Sequence, residues 1–432
     1  MNKLLTLSAL SLMVATAHAE NLTLDGIESD INWDTVPMVQ KSLFFPGKVT
    51  YAWLNSEEHK GTSHKNFETR KCSACHIDEE RGLGDMLVKS DVPQLKDKNG
   101  SVVADMQFAH DDEYLYIRTE WAAQSGHPGR MHNMIEFDGK KWKSVGGDRM
   151  SKPEDPLYED RLSFMIDDGS VAQFGEQGCF MSCHAGERDL DPATKEQSLA
   201  LPVIGLHGLN KDDIRKYLPE SRTDGSSWDK PKSQEEIDRL KAKGQFVDLM
   251  QWRSTRSGPI GYADDGYVFE YRLNDSGKTV FTWNVDRKTM IPKYMYDIEK
   301  TGFYAINRED NNDLTKQIAL VEGVNTMPYD ASKIKPGQML QGRLLRMPDG
   351  SAGDNSGIAS EFKDGRYTVV FKRKFDTGSP EDDKIMKIGG TYNFNVAIHD
   401  DSTTTRSHFV TFPFDVGIGE GAEGDVISHY LK

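Results

Sequence analysis

Tyr392-Asn393-Phe394-Asn395-Val396-Ala397-Ile398 places Tyr, Phe, Val and Ile at every second position. A period of two sends one set of side chains into a core and the other to the opposite face, so the stretch reads as a half-buried β-strand. The same signal recurs on either side. Leu115, Ile117 and Trp121 share a parity within residues 114–121, after the turn-like His110-Asp111-Asp112. Residues 367–371 and 408–414 read as two further strands. Residues 267–271 and 279–283 flank Asn274-Asp275-Ser276-Gly277, which predicts a hairpin, and Asp264-Asp265-Gly266 reads as a β-turn. Helix signals are fewer. Ser233-Gln234-Glu235-Glu236 is a capping box, and Gly244 stops the helix it opens. Residues 210–218 suit a second short helix, ended by Pro219. Many short strands with Gly- and Asp-rich turns predict a mainly β chain, an antiparallel β-sandwich with a few short helices.

The chain has 432 residues, 37% hydrophobic and 28% charged, which is enough apolar surface for a sizeable core. Its 53 Lys and Arg against 68 Asp and Glu give a net charge of −15. That balance disfavours nucleic acid and anionic lipid, and favours a basic partner protein. Lys3, the apolar run 4–17 and Ala17-His18-Ala19 read as a cleaved signal peptide over residues 1–19. No later segment is apolar enough to span a membrane. The expected location is therefore the periplasm.

All four cysteines fall into two close pairs, each followed at once by His: Cys72-Ser73-Ala74-Cys75-His76 and Cys179-Phe180-Met181-Ser182-Cys183-His184. The first is C-x-x-C-H, the attachment signature of c-type haem. Two thiols on one short arc form thioethers with the two vinyl groups, and the adjacent imidazole becomes the proximal iron ligand. The second pair has one extra residue, which can bulge outward while both sulfurs still reach. Two covalent haems c are thus expected, on Cys72 and Cys75 with His76, and on Cys179 and Cys183 with His184. Zinc shared by the Cys and His groups, or a reducible local disulfide in each pair, are the alternatives. Neither calls for a His directly after each second Cys. The rest is expected to form a single haem-binding domain over residues 20–432, with insertions at about 45–105 and about 170–260 carrying the haems.

Several ordered segments carry a resemblance. They are Ile31-Asn32-Trp33, Phe45-Pro46-Gly47, Trp53-Leu54 with His59-Lys60-Gly61, Cys72 to His76 with Glu79-Glu80, and residues 111–121. Further on come Glu159-Asp160-Arg161-Leu162, residues 178–184, 247–253 and 263–267, Ile398-His399-Asp400-Asp401, and Arg406-Ser407-His408. In these the chain resembles the ethylbenzene-dehydrogenase-related cytochromes, which share the haem-binding domain of cytochrome c-552 and of gamma subunits of dimethyl-sulfoxide-reductase-type molybdoenzymes. The resemblance implies a DOMON-like β-sandwich that holds haem and passes electrons. It also implies a redox partner, a quinol-oxidising membrane cytochrome or a periplasmic oxidoreductase. The gamma subunits hold one non-covalent haem b by Met and Lys. Two covalent motifs stand here instead, so that axial pair does not carry over.

The distal ligand separates a carrier from a catalyst, because an open iron position admits small molecules. His59 and His64 lie shortly before the first motif, and His59 falls within a segment that matches the family. His408, with His399 across a turn, is the candidate for the second haem. Met131, Met134 and Met295 are thioether candidates, though Met is more often core filler. Arg161 and Arg406 are candidates for haem propionates, and Asp310-Asn311-Asn312-Asp313 for calcium, each against an ordinary surface role. The expected function is electron transfer rather than catalysis. A dihaem peroxidase or small-oxyanion reductase with one open haem is the alternative. A sugar-binding sandwich without redox chemistry is disfavoured by two haem motifs.

Overall fold

The computed structural model describes residues 31–46, 49–60, 69–89, 98–124, 133–147, 152, 154–183, 216–312, 319–354, 357–403 and 408–431. The expected signal peptide, His64, Met131, His184 and Arg406 lie outside them.

The alternating stretch forms the strand Thr391–His399. Phe394, Val396 and Ile398 enter the main core, while Asn393, Asn395, Ala397 and His399 take the other face. This strand sits inside a large antiparallel run. In order, the strands are Ile358–Lys363, Arg366–Lys374, Tyr114–Ala122, Ser101–His110, Met38–Phe44, Phe409–Val410, Thr391–His399, Arg161–Asp167, Val247–Arg253, Asp264–Val268 and Arg272–Asn274. The two ends of the run meet. Ile358 N donates to Gly261 O at 2.8 Å, Trp252 Nε1 to Ser360 Oγ at 3.0 Å, and Arg373 Nη2 to Asp248 Oδ2 at 2.5 Å. Between the faces lie Trp121, Trp252, Tyr367, Phe164, Phe371 and Phe394. The fold is mainly β with few short helices, as expected, and is compatible with a DOMON-like sandwich.

Outside this sheet, Met134–Phe137, Trp142–Ser144, Ile306–Asn307 and Gln338–Gln341 form a small sheet of their own. Met134 and Met295 are both fully buried in apolar clusters of that region, apart from the cluster that holds Cys72 and Cys179.

Four local expectations are corrected. Residues 264–268 form a strand, not a turn, and pair with Arg272–Asn274 around Phe269 to Tyr271. The chain reverses there, earlier than Asn274 to Gly277, because Phe269 N bonds Tyr271 O at 3.1 Å. Phe281–Trp283 therefore pairs with Arg343–Leu345 instead. The stretch 408–414 is not one strand: it breaks between Phe409–Val410 and Phe414–Gly417, where Thr411 turns back onto Asn395 and Val396. The 210–218 helix is not seen at Lys216 to Leu218; residues 210–215 lie outside the description, and Lys216 bridges to Cys183. The other helix, Gln234–Lys241, forms with both capping-box bonds, and Gly244 follows it at φ +76. Among the described residues, no helix is long and apolar enough to cross a membrane.

Candidate functional site

Cys72–Cys75 is a single helical turn, and His76 caps its end through a bond from His76 N to Cys72 O at 2.9 Å. One turn therefore presents both sulfurs and the imidazole together. Lys71, just before it, is held by Asp415 at 2.5 Å and Asp425 at 3.2 Å, which ties the turn to the sheet. Cys75 is exposed, while Cys72 packs against the apolar cluster around Leu54, Phe180 and Phe412.

Facing this turn are two short helical pieces, Tyr51–Leu54 and Glu57–Lys60. Thr50 caps the first by accepting from Trp53 N at 3.2 Å. They bring the His59 ring to 6.1 Å from the His76 ring, centroid to centroid, with the planes 8° apart. His59 Nδ1 lies 2.9 Å from the Leu54 carbonyl, and His76 Nδ1 lies 2.8 Å from Glu79 Oε2. Both acceptors call for N–H at Nδ1, which leaves each Nε2 with its lone pair for a metal. Two imidazoles each about 2 Å from a shared metal have centroids roughly 6 Å apart. The centroid separation of the pair therefore matches that of two imidazoles sharing one iron. Trp53 flanks His59 at 4.5 Å, and Phe412 flanks His76 at 5.7 Å.

The second motif is built differently. Phe174–Gln177 and Gly178–Ser182 form two tight turns laid against the strand Thr391–His399. Gly178 has φ +58, and a Cβ there would meet the Asn395 amide at 3.1 Å. Only glycine combines that backbone with that approach. Cys179 N donates to Asn395 Oδ1 at 2.7 Å, and Asn395 Nδ2 donates on to Thr411 O at 2.7 Å. Cys179 is buried.

The two motifs adjoin. Phe412 lies 5.7 Å from His76, 6.2 Å from Phe180 and 4.9 Å from Phe44. Tyr51 N donates to Cys183 O at 2.8 Å, so the segment leading to His59 rests on the second motif. Burial pushes the Cys72 and Cys179 thiols up to about 12, and the two groups reinforce one another electrostatically at Cys179. The cysteines of each pair are not joined by a disulfide here, and Lys216 Nζ lies 3.8 Å from Cys183 Sγ.

His399 and His408 do come together, with rings 4.8 Å apart and planes 13° apart. Burial, followed by His408, Arg161, Arg253 and Arg272, pushes His399 well below the usual histidine range. Arg161, Arg253 and Arg256 are buried here with Glu159 and Asp264 as their carboxylate partners. Arg161 is thereby engaged in a buried pair, not left on the surface. Arg253 Nε and Arg343 Nε are buried and meet no acceptor among the described residues. Asp310 is part-buried in the 3-10 helix Arg308–Asn312 and accepts from Asn307 N at 3.2 Å, while Asp313 lies outside the described residues.

Sequence reasoning thus brought Cys72, Cys75, His76 and His59 into one site, and Cys179 and Cys183 beside it. It did not assign Glu79, the Leu54 carbonyl, Asn395 or Phe412. Glu79 had a legible signal, three residues after a candidate ligand. Asn395 and Phe412 depend on strand pairing across the chain and had none.

Residues 32–411 match the ethylbenzene dehydrogenase family. The chain belongs to that family. Among curated proteins it is 25% identical over 403 residues to cytochrome c-552 of Stutzerimonas stutzeri, covering 91% of this chain and 89% of that one. Among solved structures, a Bacteroides uniformis protein described as carbohydrate-binding aligns over 76% of this chain and 74% of its own, at 8% identity and a TM-score of 0.21. That likeness is too slight to carry an argument.

Proposed function

We propose that this family member is a periplasmic dihaem c-type cytochrome. It would pass electrons between a quinol-linked donor or periplasmic oxidoreductase and a partner protein. The observation that carries this reading is the His59–His76 pair, 6.1 Å apart with both Nδ1 atoms tethered, standing on the C-x-x-C-H turn. Cys72 and Cys75 would hold the first haem, with His76 proximal and His59 distal. Cys179 and Cys183 would hold the second, with His184 proximal and His408 the candidate distal ligand. A bound haem supplies a one-electron ferric/ferrous couple.

The chain's own residues favour transfer over catalysis. Leu54 O and Glu79 fix both rings of the first site before and after any redox change, so little has to reorganise. Cys72 and Cys179 pack in one apolar cluster, so haems held on the two motifs would lie near each other within the chain. Arg253 and Arg343 offer buried donors for carboxylates such as haem propionates. The likeness to a cytochrome c-552 over nearly the full length supports the class. Export by a signal peptide over residues 1–19 would deliver the chain to the compartment where c-type haem is attached.

The test is expression in a periplasm with c-type maturation, then pyridine haemochrome quantitation and reduced spectra with and without CO. About two covalent haems per chain and no CO shift at the first are expected. Fewer than two haems would overturn the dihaem reading. A CO shift at both, with steady turnover of peroxide or a small oxyanion, would replace the carrier by an enzyme.

A further inference from the structure

Far from both cysteine motifs in sequence, five buried aspartates converge where the two ends of the large sheet meet. Asp248 lies on Val247–Arg253, Asp265 on Asp264–Val268, and Asp275 just past Arg272–Asn274. Asp382 and Asp383 come from the loop after Arg366–Lys374. Carboxylate oxygens of Asp248, Asp265 and Asp383 lie within 4.8 Å of one another, and so do those of Asp275, Asp382 and Asp383. All five residues are at most 4% exposed.

Cationic partners do not match this charge. Arg373 bonds Asp248 at 2.5 Å and lies 3.8 Å from Asp383. Lys384, the next residue, turns instead to Asp167 at 3.1 Å and Asp168 at 2.7 Å. Asp275 is 4% exposed, and neither of its oxygens accepts a hydrogen bond from a donor group among the described residues. The group within its reach is another carboxyl, Asp265, which donates nothing unless protonated. Asp248 Oδ1 and Asp382 Oδ1 are in the same condition. Buried carboxylates arranged this way call for a cation.

We infer that this cluster is a structural calcium site, with Asp275, Asp382 and Asp383 as its centre and Asp248 and Asp265 beside them. The donors are all hard oxygens, and calcium takes 6–8 of these at about 2.3–2.6 Å. Magnesium keeps several waters and suits a dry, carboxylate-lined site less well. The site would clamp Asp264–Val268 and Arg272–Asn274, at one end of the sheet, to the loop leaving Arg366–Lys374 near the other end. It is independent of the electron-transfer reading.

The experiment uses the purified, haem-loaded chain. After dialysis against metal-free buffer, elemental analysis is expected to find about one calcium per chain. EGTA should lower Tm by roughly 5 °C, with calcium but not equimolar magnesium restoring it. Asp275→Asn should lose the calcium while keeping its full haem content. Should that variant fail to fold, terbium luminescence on the wild-type chain gives the same answer. Tyr267 lies within electrostatic reach of Asp275 and Asp382, so it can sensitise the ion, and calcium should quench the signal by displacement. Absence of bound calcium together with no Tm response to EGTA overturns the inference. So does an Asp275→Asn variant with raised Tm, since that is the mark of carboxyls held by shared protons.

Discussion

The two cysteine motifs have nearly the same sequence and opposite construction. The first stands on an exposed turn, with everything it needs supplied locally: His76 and Glu79 beside it, and His59 with the Leu54 carbonyl shortly before. The second is sunk against a central strand, its turn held by Asn395 and shaped by Gly178. At the first, the imidazoles stand 6.1 Å apart, the spacing of two ligands on one metal. At His399 and His408 the rings stand 4.8 Å apart, closer than the roughly 6 Å such a pair needs. A haem site can be built by folding local ligands over it, or by embedding its anchor in a core and recruiting ligands from afar.

The strongest way to break this comparison is to remove the anchors. If the chain carries two covalent haems, as proposed, Cys72→Ser with Cys75→Ser should leave about one, with the fold intact because Cys75 is exposed and Cys72 only half-buried. The matching change at Cys179 and Cys183 should also remove one haem. In addition it should destabilise the chain by about 1–3 kcal/mol, since a buried hydroxyl replaces a buried sulfur. Haemochrome quantitation and thermal melts on both variants check this, and equal melting temperatures would erase the distinction.

Next in size is His59→Ala. It removes the ring facing His76 and should make the haem of the first motif bind CO, about half of the total haem, while the reduced spectrum of the other is unchanged. A CO titration reads the stoichiometry directly. An unchanged spectrum would mean that another group occupies the distal position. Smaller still, Asn395→Ala strips a partner from the buried Cys179 N and from Thr411 O, at a cost of about 1–3 kcal/mol. It should lower loading of the second haem and leave the first alone. Mass spectrometry of the two haem peptides separates these outcomes, and equal losses at both sites would show the motifs to be one folding unit.

What could be read from the chain follows the same division between local and distant. The strand Thr391–His399 and the helix Gln234–Lys241 were legible because alternation and a capping box are local signals. Both cysteine motifs were legible because their chemistry needs closely spaced residues. His59 was legible as a candidate from its nearness to Cys72, but its facing of His76 depends on the turn at Ser56 and the cap at Thr50. The hairpin expected around Asn274 to Gly277 failed for a distant reason. Asp275 turns inward to meet Asp382 and Asp383, and a turn-forming residue type there serves burial instead. Asp264 and Asp265 likewise read as turn residues, yet one pairs with Arg253 and the other joins the carboxylate cluster. Polar residues inside a strand give no local warning that they are buried, because their partners lie elsewhere in the chain.

The smallest expected effect tests the local design most closely. Glu79 accepts from His76 Nδ1 at 2.8 Å, and a carboxylate in that position makes the imidazole a stronger donor to iron. Stronger donation favours the ferric state, so Glu79→Gln should raise the reduction potential of the first haem. Glu79 is half exposed, at 54%, so water screens the interaction and the shift should be modest. A threefold change in the relative stability of the two oxidation states corresponds to roughly 30 mV for a one-electron couple. The second haem does not share this carboxylate, and its potential should stay within error. A spectroelectrochemical titration resolving the two haems measures both in one experiment. A rise confined to the haem on Cys72 and Cys75 would place control of that potential within four residues of its own ligand. Equal shifts at both haems would mean that the common aromatic cluster around Phe412 couples them more tightly than their separate construction suggests.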